Sequence, residues 1–142
     1  MTAKKYLLQA YLLEQRIESK LMQIRMLREL ATKSTAVIRR DPGGKGDNHF
    51  MEDTIVQMAD MEKEISGEIG RLMELKREIT GVISQVEEPD QQVILEMRYL
   101  CYQDWPVIMD LVGRSKSSVF ELHGKALEAV GRIIAKERTD LE

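Results

Sequence analysis

Between positions 114 and 125 the chain gathers Arg114, Ser115, Lys116, Ser117, Ser118, Phe120, Glu121 and Lys125. Side chains of these kinds suit double-stranded DNA. A lysine reaches guanine acceptors, a glutamate accepts from the cytosine amino group, and a phenylalanine touches the thymine methyl. On one helix, Lys116, Ser117, Phe120 and Glu121, with Ser118 at the margin, face away from Val119 and Leu122. Arg114 and Lys125 stand better for phosphates. The backbone N–H groups that follow Ser115 add a further phosphate site.

No other set of residues assembles into a catalytic or metal site. His49 and His123 lie far apart in sequence, with no ligand pattern around them. Ser115 and Ser117 lack a base partner. Glu62 and Glu64 fall on a solvated helix face. The stretch Pro42-Gly43-Gly44-Lys45-Gly46 has neither the preceding strand nor the following Lys-Ser/Thr pair of a phosphate loop. The nine methionines are spaced as core residues. Cys101 stands alone, which excludes an internal disulfide or a Cys-based metal site; it is expected as a small buried residue. The expectation is a protein that is not an enzyme and needs no cofactor or metal.

The elements that must position residues 114–125 are helical. Apolar residues make up 43% of the chain, charged residues 32% and aromatics only 5%, so the core is aliphatic and Met-rich. Glycine and proline are scarce outside one short stretch, which points to an all-α fold of long helices. Apolar or small residues recur at 10, 13, 17, 21, 24, 27, 31, 34 and 38, in steps of three or four. That is one helix from about Ala3 to Arg40. The seam stops over 39–48, where Pro42 and the glycines at 43, 44 and 46 enforce a turn. It resumes at Met51, Ile55, Met58, Ile65, Ile69, Leu72, Ile79, Ile83 and Val86, flanked by Met61 and Leu75. Two matched helices joined by a short turn make a long antiparallel hairpin of coiled-coil type over residues 1–88. Such a hairpin buries only part of its apolar surface, so a homo-oligomer, most simply a dimer, is expected. Gly67, Gly70 and Gly81 weaken the second helix and would mark a close helix contact or a bend.

Glu87-Glu88-Pro89-Asp90 ends the hairpin, and residues 89–142 form a second domain. Asp90 is expected to cap its first helix, on which Val93, Ile94, Met97, Leu100 and Cys101 share a face. A short helix follows from Asp104 or Trp105, with Pro106 in its first turn and Ile108, Leu111 and Val112 as apolar positions. Gly113 ends it and Ser115 caps a third helix, whose inner face is Val119, Leu122, Ala126, Val130 and Ile133. Short helix, Gly turn, Ser cap and longer helix make a three-helix helix-turn-helix module, in which one helix braces another that enters the major groove. Charge follows this layout. The whole chain carries −3. Over 87–110 Arg98 stands against Glu87, Glu88, Asp90, Glu96, Asp104 and Asp110. Over 111–138 Arg114, Lys116, Lys125, Arg132, Lys136 and Arg138 outnumber Glu121, Glu128 and Glu137. Phosphate contacts would concentrate in the latter segment.

Leu95, Arg98, Tyr99, Ile108, Gly113, Ser115, Val119, Lys125, Ala126 and Leu127 follow a pattern that resembles region 4 of sigma-70-type factors. The whole chain is similar to small phage proteins of Gram-positive hosts, late-transcription regulators of the ArpU and RinA type. In these a coiled N-terminal half with a Pro-Gly break, here Asp41-Pro42-Gly43, precedes the sigma-like module. The chain departs from the sigma pattern at Met109, where a small residue is usual, and at Val107, where glutamate is frequent. Met109 is expected to hold the two helices further apart. The resemblance implies a phage or prophage regulator that binds promoter DNA and activates late genes. The residues themselves also leave open a DNA-packaging protein like a small terminase subunit, or an adaptor whose module meets host RNA polymerase. No apolar run approaches the roughly 20 residues of a membrane span. The apolar patch near the N-terminus is too short and too charged for a secretory signal. A reducing bacterial cytoplasm is the expected setting.

Overall fold

A computed structural model of the protein describes residues 1–40 and 47–141, with side chains described outside 34–48. Of the break read over 39–48, residues 41–46 lie outside the described residues, while 39–40 and 47–48 belong to the flanking helices; the seam side chains at 34 and 38 also lie outside. The described residues are mostly helical: α1 (Ala3–Arg40), α2 (Asp47–Ser84), α3 (Pro89–Leu95) running into a π-helical turn (Glu96–Leu100), α4 (Trp105–Val112) and α5 (Lys116–Leu141). The architecture is thus all-α, a long helical hairpin followed by a helix-turn-helix module. Among the described residues no helix is long and apolar enough to cross a membrane.

The chain forms two compact units. One is Glu14–Arg71, and the other joins Met1–Leu13 to the chain from Leu72 onward. In the first, the antiparallel sense is fixed by ion pairs whose numbers run in opposite directions. Lys20 Nζ meets Glu68 Oε1 at 2.6 Å and Glu64 Oε2 at 3.4 Å, while Arg28 pairs with Glu62 at 3.6 Å. Ile17, Ile24, Ile65 and Thr54 are buried among the described residues here. Thr54 satisfies its hydroxyl by donating to the Phe50 carbonyl at 2.7 Å. The seam is narrower than its sequence suggests. Leu21, Ile55 and Ile69 belong to the three-four pattern yet remain exposed. Two helices touch along one line, and residues on its shoulders need a further helix to cover them. The α2 glycines mark no close approach, since a Cβ at Gly67, Gly70 or Gly81 would meet nothing within 4 Å.

In the second unit the base of the hairpin and the C-terminal module share one core. Leu7 and Ala10 of α1 and Ile79, Val82, Ile83 and Val86 at the end of α2 pack with Leu95, Tyr99, Ala126 and Val130. The break at 87–90 therefore changes the helix but not the compact unit, which extends across it. A smaller cluster of Ile94, Ile108 and Val119, with Met97, Trp105, Met109, Val112 and Leu122 around it, ties α3, α4 and α5 together. The inner face read for α5 holds: Val119, Ala126 and Val130 are buried, and Leu122 and Ile133 partly so.

Four expectations for this unit are corrected. Asp90 does not cap α3: Glu88 is the N-cap, without a side-chain cap bond, Pro89 opens the first turn and Asp90 lies within it. Cys101 is exposed rather than buried. Val93 is exposed, and the buried positions after it are Ile94, Leu95 and Tyr99. For Cys101 the π turn is the reason: it fits more residues into each turn than an α-helix, so a face reckoned at 100° per residue is out of step once Glu96–Leu100 has passed, while Leu100 still packs on the main core. Leu111, fourth, is 61% exposed, because the buried side of the short α4 centres on Ile108 with Trp105, Met109 and Val112 beside it.

Candidate nucleic-acid interface

Local chemistry fixes the entrance to α5. α4 starts from Asp104 in an extended conformation, and proline occupies its first turn. It ends at Gly113, whose φ of +68° is left-handed. The N–H groups of Gly113 and Arg114 both donate to the Met109 carbonyl, at 2.8 and 3.3 Å. A Cβ at Gly113 would meet nothing within 4 Å. Glycine is therefore favoured there by the backbone angle and not by lack of space. Ser115 caps α5: its Oγ accepts from the Ser118 N–H at 3.3 Å, and its carbonyl accepts from the Val119 N–H at 3.0 Å. The first-turn N–H groups of Lys116 and Ser117 precede these bonds.

The candidate residues come together around this entrance. Arg114, Ser115, Lys116, Ser117, Phe120, Glu121 and Lys125 are exposed, and Ser118 is half-buried. Val119 and Leu122 turn inward, as the spacing requires. Two cations are already engaged with carboxylates. Arg114 pairs with Asp90 at 2.5 Å, and Lys125 with Glu121 at 3.4 Å. Phe120 is committed on one side: its ring meets Trp105 edge-on at 5.0 Å between centroids. Lys116 Nζ lies 5.9 Å from the centre of the Phe120 ring.

Behind the surface lies an aromatic assembly that sequence spacing does not reveal. His123 Nε2 and Tyr99 Oη are 2.8 Å apart, and the His123 ring meets Trp105 edge-on at 4.7 Å. The Arg98 guanidinium sits 4.8 Å over Trp105 and donates to the Gln103 carbonyl at 3.0 Å. These contacts lock α5 to both α4 and the π turn. They also set the histidine's protonation. Burial, with smaller effects from Lys4 and Arg98, pushes His123 down to about 4, so the ring is neutral near pH 7. Burial likewise raises Tyr99. The only signal in the sequence was a set of aromatic and imidazole side chains at 99, 105, 120 and 123, on three elements whose crossing no local pattern encodes. Among the described residues no cluster of metal-ligating side chains forms; His49 is exposed on α2 and His123 is held by Tyr99.

Residues 22–131 match a known family, and the chain belongs to it: the protein family of unknown function DUF1492. The match takes in most of the hairpin and the module as far as the middle of α5. No curated protein and no solved structure matches the chain.

Proposed function

We propose that this member of a family without an assigned function is a phage or prophage transcriptional regulator, acting in the bacterial cytoplasm and binding promoter DNA as an oligomer. One observation carries the reading: the first turns of α5, rigidly capped at Ser115 and braced by α4, present Lys116, Ser117 and Glu121 outward at base-reading spacing. The phage and late-promoter part of the proposal rests on the resemblance to ArpU- and RinA-type regulators.

The carboxylates beside the cations do not oppose this reading. An exposed ion pair is worth about 0–1 kcal/mol, so Arg114 can exchange Asp90, and Lys125 can exchange Glu121, for a phosphate at little cost. What they do oppose is indiscriminate binding, since the acidic side chains repel backbone that the base contacts do not hold in register. A second reading has its own support. On α4, Val107 and Leu111 point outward, Asp110 is exposed on the same short helix, and Asp104 is exposed at its N-cap. An apolar strip edged by carboxylates suits a basic protein surface, such as a segment of host RNA polymerase.

Gel shifts with the full chain test the choice. Lys116→Ala should weaken specific binding by about 1–3 kcal/mol, or roughly 5- to 150-fold. Arg114→Ala should weaken all sequences alike and lower the salt dependence by about one phosphate contact. Unchanged binding in both variants would sink the DNA reading. Polymerase binding by a chain with no DNA affinity at low salt would support the adaptor.

A further inference from the structure

The unit Glu14–Arg71 carries a surface that its own two helices leave open. On one shoulder of the hairpin, Leu21, Ile24 and Ile65 floor a groove of about 390 Å³, rimmed by Arg25, Arg28 and Glu62. Leu21 is 38% exposed, and Ile69, one turn beyond Ile65 on α2, is 41% exposed. The other shoulder is different. Helical spacing puts Lys20, Glu64 and Glu68 there, and their ion pairs bridge the two helices.

We propose that this groove receives a second copy of the same chain, through a two-fold contact that builds a four-helix bundle from two hairpins. Among its described residues the unit has few buried side chains, Ile17, Ile24, Ile65 and Thr54. Two helices alone do not bury enough apolar surface to hold their length together in water. The rim selects the occupant. It bears both signs, Arg25 and Arg28 on α1 and Glu62 on α2. A two-fold contact lays one patch against itself and so requires such self-complementarity. A uniformly basic or acidic partner would set like charge against like. Leu21 stands half out of the floor, and Ile69 half out of α2 one turn beyond Ile65, as knobs for the facing copy's holes. The two-fold contact proposed here would bring Arg25 of each copy towards Glu62 of the other, which within one copy pairs with Arg28 at 3.6 Å. This inference does not depend on the DNA reading.

The test is the light-scattering mass of the full chain across a range of concentrations. The expected mass is twice the chain's 16.4 kDa. Leu21→Lys should halve it with an unchanged helical circular dichroism signal, because the side chain is already part-exposed in one copy. Met26→Lys, also exposed but on the outer side of α1, should leave the mass doubled. Arg25→Glu should lower the doubled fraction, and adding Glu62→Arg should restore it. That pair decides the matter if Leu21→Lys loses helicity. A monomer at every concentration, a ring of more than two copies, dissociation by Met26→Lys but not Leu21→Lys, or a charge exchange that restores nothing would each overturn the proposal. A dimer without DNA affinity would leave it standing and sink the DNA reading alone.

Discussion

Acid should loosen α5 through His123. The ring lies between Tyr99 and Trp105, and burial holds its folded pKa down at about 4 against an ordinary value of 6.5. Above pH 6.5 histidine is neutral in both folded and unfolded chains, and the stabilisation is complete. As pH falls below 6.5, the unfolded chain takes up the proton first. Stability is therefore lost as pH falls from 6.5 towards 4. At 1.36 kcal/mol per pH unit, a displacement of that size corresponds to about 3 kcal/mol. The ring is only half-buried, and solvent screening cuts this to about 1–2 kcal/mol. In a chain of this length that is roughly 3–6 °C in Tm. The assay is thermal unfolding at pH 7 and pH 4.5 for the native chain and His123→Gln, which keeps a polar group near Tyr99 but does not titrate. Carboxylate effects are common to both chains and cancel in the comparison. The native chain should lose about 3–6 °C more than the variant on acidification. Equal losses, or a His123 titration by NMR at or above pH 6.5, would refute the reasoning.

Two further perturbations probe the scaffold of the interface. Gly113→Ala should cost about 1–2 kcal/mol, because it places a Cβ on a left-handed residue with open space around it; urea unfolding reads this, and no loss would show that the turn relaxes freely. Ile108→Ala should cost about 2–5 kcal/mol, since the side chain is fully buried between α3, α4 and α5. A cost below 1 kcal/mol in the same assay would mean that this small cluster does not hold the module together.

What the sequence made legible was local. Both long helices could be read from three-four spacing, and the α4–Gly113–Ser115–α5 entrance from glycine and serine chemistry within a few residues. What it hid depended on contacts between distant segments or on helix geometry. Cys101 was misplaced because nothing local announces a π turn. Tyr99, Trp105, Phe120 and His123 meet only once three elements cross. Ile55 and Ile69 fit the apolar period, yet period alone does not say how wide a strip one partner helix can cover. Val82, buried at the hairpin base, falls outside the seam because the module's core reaches round to meet it.

The most direct test of the central claim, that the first turns of α5 read DNA, is selection of bound sequences from a random pool with the full chain, at stated salt and alongside Lys116→Ala. The account predicts an enriched motif for the native chain, with half-sites about one helical turn apart if two copies bind. It also predicts that the variant relaxes preference at one base position of that motif. No enrichment by the native chain at low salt, or the same motif with undiminished preference from Lys116→Ala, would contradict it.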